Sequence, residues 1–200
     1  MGPRHAAIIC YERNAMSRWF LLLALAACGS EDPPPLPDPC NGVVTDVPLL
    51  ASPHVPEGSA PAWNSNPPTS GPHYPVWAAF DQHYDNLPRG YWLHNLEHGA
   101  VVYAYRCDAG CPDVAAQLDA VVKALPADST CATPVHQRAL VVADPLLPDD
   151  NTVAAVAWGS YYIGQCADLA TLRQFYYEHA GRGPEDTCVN GAAFSSTPIF

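Results

Sequence analysis

Proline is concentrated in one part of this chain, and the concentration limits what that part can fold into. Thirteen of the 22 prolines lie between Pro33 and Pro75 of a 200-residue sequence. Because proline lacks a backbone N–H and has a fixed φ, this stretch cannot form a helix or a central β-strand. We interpret residues 28–39, which include the acidic run EDPPPLPDP, as an extended tether. Residues 40–75 also contain aromatic side chains and histidines, so they are expected to form an ordered, irregular coat over a core.

The segment before the tether has the pattern of an export signal. Residues 19–27 are nine apolar residues, too few to cross a bilayer as a helix, which takes about 20. The string LAAC, which ends at Cys28, resembles the lipobox of bacterial lipoproteins. The resemblance implies that residues 1–27 are removed as a signal peptide and that Cys28 is lipidated. Residues 1–15 add a polar extension that an export signal does not require, so we expect Met16 to be the true start. We therefore expect an exported protein that is lipid-anchored to a bacterial membrane, on its periplasmic or cell-surface face.

The charge balance argues against one class of partner. The chain has 20 acidic and 9 basic residues, a net charge of −11. Removal of residues 1–27 takes away three bases and one acid, which makes the net charge −13. A surface of this sign repels phosphate backbones, so no nucleic-acid partner is expected. The lipid anchor makes the membrane a partner, and the sequence indicates no particular protein partner.

The hydrophobic pattern becomes regular after residue 91 and predicts an α+β fold. Strands are predicted at 100–105, 138–143 and 152–162, and helices at 112–125 and 169–180. This strand-helix-strand-strand-helix order predicts a small antiparallel sheet packed by two helices, within a single globular domain of residues 40–200. The second and third strands are expected to form a hairpin.

Cysteine usage fits an exported framework. Up to three disulfides are expected among the six cysteines that follow the lipidated one, which are Cys40, Cys107, Cys111, Cys131, Cys166 and Cys188. Cys131 precedes the expected hairpin and Cys166 follows it, at similar distances from the turn. We therefore favour the pair Cys131–Cys166.

Histidines supply the densest chemistry. His94 and His98 are four residues apart with Glu97 between them, which matches the H-x-x-E-H string of inverzincin peptidases. On a helix the two imidazoles could hold zinc, with Glu97 as the general base. Gly99 and a β-type run follow directly, however, so we expect this string to form a turn that leads into a strand.

Other histidines extend this candidate site. His73 lies in a Gly-Pro-His-Tyr-Pro frame that would preorganise it as a third ligand, and His54, between prolines, is a weaker candidate. Imidazole donors without free thiols favour Zn(II) or Cu(II) as the metal. Alternatively, the histidines bind backbone carbonyls and tie the coat to the sheet. The remaining histidines of the mature chain, which are His83, His136 and His179, are expected to be surface or capping residues.

A C-x-x-x-C string offers a competing interpretation. Cys107 and Cys111 lie between a predicted strand and a predicted helix, and this arrangement resembles the copper-metallochaperone branch of the thioredoxin-like proteins. The alternative is structural disulfide bonding, either between Cys107 and Cys111 or from each to a separate cysteine. The redox hypothesis requires the two cysteines to face each other at an exposed helix start.

Four strings of this chain resemble one bacterial family. NPPTSGPHYPVW, LHNLEHGAVVYAY, AWGSYY and GRGPEDTC are similar to the exported proteins grouped as domain of unknown function 3105, over about residues 43–184. The resemblance supplies no activity, and it implies as signature positions Pro67, Pro68, Ser70, Gly71, His73, His94, Asn95, Glu97, His98 and Gly99.

Three functional hypotheses follow. The leading one is a non-enzymatic, lipid-anchored domain that binds a transition metal through its histidines. The second is a small zinc hydrolase that uses the HNLEH string, and the third is a thioredoxin-like copper or thiol carrier that uses CDAGC.

Overall fold

The computed structural model describes residues 38–149 and 152–200, and the chain there has an α+β fold, as predicted. The predicted signal segment, Cys28 and nearly all of the tether lie outside these residues. The elements in chain order are β1 (Val43–Asp46), β2 (Gln82–Tyr84), α1 (Arg89–Glu97), β3 (Val101–Tyr105), α2 (Pro112–Lys123), β4 (Ala139–Ala143), β5 (Val153–Ala157), β6 (Ser160–Gly164), α3 (Leu169–His179) and β7 (Thr197–Pro198).

The seven described strands form one mixed sheet in the order β1-β6-β5-β3-β4-β2-β7. β4 pairs in parallel with both β3 and β2, whereas the other pairs are antiparallel. The predicted small antiparallel sheet and the hairpin of its second and third strands are therefore wrong. The crossover helix α2 brings β4 back parallel to β3, and β3 lies between β4 and β5. The predicted strand at 152–162 is itself a hairpin of β5 and β6, with Gly159 in its turn at φ +77.

Helices cover both faces of the sheet, which explains the continuous apolar runs of its central strands. Val102 and Leu140 point to the side of α1, where they pack with Trp92 and Leu96. On the opposite face, α2 and α3 contact a second set of buried side chains, which includes Tyr103, Val141, Leu118, Leu172 and Phe175. The two predicted helices, α2 and α3, thus cover one face of the sheet. The other face is covered by α1, which the sequence pattern does not predict.

Helix α1 corrects the expectation that HNLEH forms a turn. Its apolar residues Trp92, Leu93 and Leu96 are buried, but so are the polar residues between them, which hides the usual amphipathic pattern. The helix ends at Glu97, His98 is its C-cap residue, and Gly99 follows at φ +80. A Cβ atom on Gly99 would lie 2.9 Å from the Cα atom of Gly181, so the close approach of a second segment also requires glycine here.

The proline-rich coat is irregular, as predicted, apart from the edge strand β1. Backbone hydrogen bonds join its turns: Val55 N donates to His73 O at 2.8 Å, and Gly159 N in the β5–β6 turn donates to Thr69 O at 3.1 Å. No described helix is long and apolar enough to cross a membrane.

Three disulfides are present among the described residues, and their pairing corrects the favoured one. Cys131 is bonded to Cys188, and Cys166 is bonded to Cys40, so the predicted pair Cys131–Cys166 is wrong. Because strands β4 and β5 are not neighbours, the cysteines that flank them do not meet. The third bond joins Cys107 to Cys111.

Candidate metal centre

Four side chains converge where the coat meets the end of α1. His54, His73, His94 and Glu97 each offer a donor atom, and these four atoms all lie within 4.8 Å of one another. The centroids of the three imidazole rings are 4.7 to 5.0 Å apart. His73, His94 and Glu97 are buried, whereas His54 is exposed. The cluster is therefore open to solvent on the side of His54.

His73 is oriented by its own loop. Its Nδ1 donates a hydrogen bond to the carbonyl oxygen of Gly71 at 2.9 Å, and Gly71 has φ +116. A carbonyl can only accept, so Nδ1 carries the proton and Nε2 of the neutral ring has the free lone pair. This Nε2 lies 3.0 Å from Oε2 of Glu97, yet it lacks the alignment of a hydrogen bond. A metal-ligating imidazole usually donates its other ring N–H to a backbone carbonyl or a carboxylate, as Nδ1 of His73 does here.

His94 has the same arrangement on α1. Its Nδ1 donates to the carbonyl oxygen of Tyr74 at 2.7 Å, which leaves Nε2 as the nitrogen with the lone pair. Burial lowers the pKa of His94 to about 4, an effect that the bond to Tyr74 opposes and that nearby histidines reinforce. His94 is therefore neutral near pH 7, and the neutral imidazole is the form that binds metals.

Glu97 places a carboxylate among the histidines. As the last residue of α1, it lies at the negative end of the helix dipole, where a cation is favoured. Its Oε1 accepts a hydrogen bond from Ser52 Oγ at 2.9 Å, and Oε2 faces His73. A buried carboxylate is costly unless it is paired or bound to a metal. A cation in this cluster would neutralise it.

His54 approaches from the coat, between Pro53 and Pro56. Its neighbour Val55 pairs with His73 through the backbone, and His73 N donates to Pro53 O at 3.3 Å. The two coat histidines are thus held side by side by main-chain bonds. His54 is the exposed member of the set and can change its side-chain conformation most freely.

A second triad adjoins the first and shares His94. It consists of His94, His98 and Glu185, with Glu185 Oε2 3.0 Å from His98 Nε2. The buried Nδ1 of His98 has no hydrogen-bond partner, and burial lowers the pKa of this imidazole. The ring of Trp77 packs against both histidines, with centroids 4.4 Å from His98 and 5.2 Å from His94.

The segment that carries Glu185 fits closely against the end of α1. Glu185 N donates to the carbonyl oxygen of Glu97 at 3.1 Å, and Gly181 N donates to that of Gly99 at 2.8 Å. A side chain at Gly183 would overlap the Glu97 carbonyl, so the segment requires glycine there. This segment is the GRGPEDTC string, and its glycines explain how Glu185 reaches the histidines.

The structure rearranges the predicted site residues. His73 and His94 come together, His54 joins them as a full member, and His98 lies in the adjoining triad. Glu97 belongs to the donor cluster, with Oε1 bonded to Ser52 and Oε2 facing His73, which differs from the free general base of the hydrolase hypothesis. Sequence reasoning did not identify Ser52 or Glu185, because only the fold brings them to the helix end.

Another histidine corrects an expectation. His83 is buried rather than on the surface: its Nδ1 lies 2.8 Å from Asp119 Oδ1, and its Nε2 lies 3.0 Å from the hydroxyl of Tyr105. These contacts join β2, β3 and α2 on the face opposite α1. His83 is therefore a buried residue that links β2 to β3 and α2.

The strings that carry the family resemblance meet at this site. NPPTSGPHYPVW supplies His73 and Trp77, LHNLEHGAVVYAY supplies α1, GRGPEDTC supplies Glu185, and the turn of AWGSYY binds the coat beside them. Neither the curated proteins nor the solved structures contain a significant match to the chain. The model of one family, described as a protein of unknown function (DUF3105), matches residues 54–191, and the chain belongs to this family.

Proposed function

We propose that this protein is a non-enzymatic, lipid-anchored domain outside the cytoplasm that binds one Zn(II) or Cu(II) ion through His54, His73, His94 and Glu97. The observation that carries the proposal is the state of the two buried imidazoles. Both donate through Nδ1 to a backbone carbonyl, which leaves Nε2 of each ring as the atom that could bind an ion.

The donor set supports this choice of metal. Three imidazoles and one carboxylate suit Zn(II) and Cu(II), whereas Cu(I) prefers sulfur ligands. Donor atoms around a tetrahedral zinc ion lie about 3.4 Å apart, given zinc–nitrogen bonds near 2.1 Å. The donors here lie within 4.8 Å, so the cluster has to contract slightly around an ion. The exposed His54 can make most of that movement.

A metal titration with matched single variants tests the proposal. The full chain should bind about one equivalent of Zn(II) or Cu(II) in calorimetry, with Cu(II) quenching the fluorescence of Trp77. His54→Ala removes an exposed ligand and should weaken binding at least about tenfold, since even outer partners of metal ligands are worth 10–100-fold. His136→Ala removes an exposed histidine outside the cluster and should bind as the unsubstituted chain does.

Two results would contradict the metal proposal. One is an unsubstituted chain that takes up neither ion, and the other is equal affinity in His54→Ala and His136→Ala. In either case the alternative is that the histidines only fasten the coat to the helix, with His73 beside Glu97.

Export and anchoring are supported by the sequence pattern around Cys28 and by the disulfides expected of an oxidising compartment. Cells that express the chain should incorporate labelled fatty acid into it, and Cys28→Ala should abolish the incorporation. Equal labelling of both forms would refute a lipid anchor at this cysteine.

The hydrolase hypothesis has weaker support. It needs Glu97 free to take a proton from a metal-bound water, but Oε1 of Glu97 accepts a hydrogen bond from Ser52 and Oε2 faces His73. His94 and His98 could share one ion, but the third donor beside them is Glu185, and Glu97 belongs to the other donor set.

A further inference from the structure

A second pair of reactive side chains lies at the opposite end of β3 from His98. Cys107 and Cys111 are bonded to each other there, and Cys111 is the residue immediately before α2. β3, α2 and β4 form a parallel β-α-β unit. In open sheets with such units, binding and reactive sites occur beyond the carboxyl ends of the strands. Cys107 and Cys111 thus face each other at the start of a helix, as the redox hypothesis requires.

The Cys107–Cys111 bond contributes little to the stability of the fold. Its cysteines are 4 residues apart, whereas the other two disulfides span 126 and 57 residues. A cross-link mainly restricts the unfolded chain, and the effect grows with the length of the loop that it closes. The short bond therefore contributes least, and the chain can lose it without losing its core.

Access also distinguishes this disulfide from the others. Each of the other two includes one buried cysteine, Cys40 or Cys188. Cys107 and Cys111 are both only half-buried, and residues 108–110 between them are exposed. A Cβ atom on Gly110 would meet nothing within 4 Å, so the loop tip is open to an approaching partner.

The two sulfurs have different surroundings. Cys111 is the N-cap of the 12-residue helix α2, and its carbonyl oxygen accepts from Ala115 N at 3.1 Å. The positive end of the helix dipole stabilises a thiolate at this position. Cys107 instead begins a turn, in which Gly110 N donates to its carbonyl oxygen at 3.1 Å. Cys111 is therefore the better leaving group when the bond is attacked.

We propose that Cys107 and Cys111 form a redox-active pair that accepts electrons from a dithiol of a partner protein. A partner thiolate attacks the sulfur of Cys107, the Cys107–Cys111 bond breaks, and Cys111 leaves as a thiolate. The second thiolate of the partner then attacks the partner's sulfur in the mixed disulfide and releases Cys107. Two electrons and two protons pass to the cysteine pair, and the partner departs with a disulfide. This chemistry is independent of the metal cluster.

A glutathione titration of the unsubstituted full chain tests the proposal. The chain is equilibrated in mixtures of reduced and oxidised glutathione, free thiols are alkylated, and each disulfide is quantified by mass spectrometry. Cys107–Cys111 should open in mixtures that leave Cys40–Cys166 and Cys131–Cys188 intact, without change in the circular dichroism. Simultaneous reduction of all three bonds, or opening of Cys107–Cys111 last, would overturn the proposal.

A second measurement separates a redox pair from an accessible structural bond. Alkylation by iodoacetamide is followed against pH in Cys107→Ser, which leaves Cys111 free, and in Cys111→Ser, which leaves Cys107 free. The midpoint for Cys111 should lie at or below about pH 7.5 and below that for Cys107. Midpoints of about pH 8.5 in both variants refute the proposal. If a variant does not fold, the glutathione titration decides alone.

Discussion

In helix α1, polar side chains that bond to neighbouring segments lie beside the apolar side chains that pack in the core. The fully buried Asn95 accepts a hydrogen bond from Ala78 N at 3.0 Å and donates one to Ala78 O at 2.8 Å, as a paired strand would. This holds the segment that follows the coat, which includes Trp77, against the helix. The residues on either side, His94 and Leu96, then face the donor cluster and the core. Site and core are therefore built from successive residues of one helix.

The neutral state of His94 makes stability depend on pH. In the unfolded chain its pKa is the ordinary 6.5, whereas burial lowers the native pKa to about 4. Between these values the unfolded state binds more protons, so the free energy of unfolding rises with pH from 4 to 6.5 and is level above that for this group. The contribution is on the order of 3 kcal/mol.

Urea unfolding in the presence of a chelator checks this dependence. The unsubstituted chain should lose stability steadily as the pH falls from 6.5 to 4, and His94→Gln should lose less over the same interval, since carboxylate protonation is common to both. Parallel curves for the two proteins would show that His94 does not carry the effect.

At the scale of elements, Arg138 joins the start of β4 to the segment that carries Glu185. This buried guanidinium binds Asp128 at 2.8 Å, Asp186 and the carbonyl oxygen of His98 at 3.4 Å. It thereby connects the end of α1 with the GRGPEDTC segment. The ion pairs hold the adjoining triad in place, although Arg138 itself touches no metal donor.

Removal of this connection should be costly. Arg138→Met leaves the two carboxylates without their partner, and we expect a loss of about 3 kcal/mol in the free energy of unfolding. Arg182→Met changes an exposed arginine of the neighbouring segment and should cost less than about 0.5 kcal/mol. Denaturant unfolding measures both, and similar losses would contradict the role assigned to Arg138.

The sequence predicted some elements far better than others, for physical reasons. β3 and β4 were located to within a residue, because strands buried on both faces have continuous apolar runs. Helix α1 was not predicted, because its buried polar residues hide the amphipathic pattern that usually marks a helix. Part of the donor cluster was predicted, because the prolines around His73 indicate a fixed loop. The contact between His98 and Glu185 joins residues 87 positions apart in the chain, so no local sequence pattern reveals it.

At the scale of the whole molecule, the disulfides divide into long and short cross-links. Replacement of Cys40 and Cys166 by alanine should lower the free energy of unfolding by about 5 kcal/mol, and replacement of Cys107 and Cys111 by about 2 kcal/mol at most. Denaturant unfolding of the two double variants tests this order. The reverse order would mean that the short bond is a structural support after all.

The four candidate metal donors come from two layers of the molecule, and this has a consequence for the coat. His54 and His73 belong to the coat, whereas His94 and Glu97 belong to the helix beneath it. An ion held by all four would act as a removable cross-link, whose strength rises by about 1.4 kcal/mol for each tenfold increase in free metal above its dissociation constant. The stability of the proline-rich coat and its resistance to proteases would then depend on the concentration of free metal around the protein.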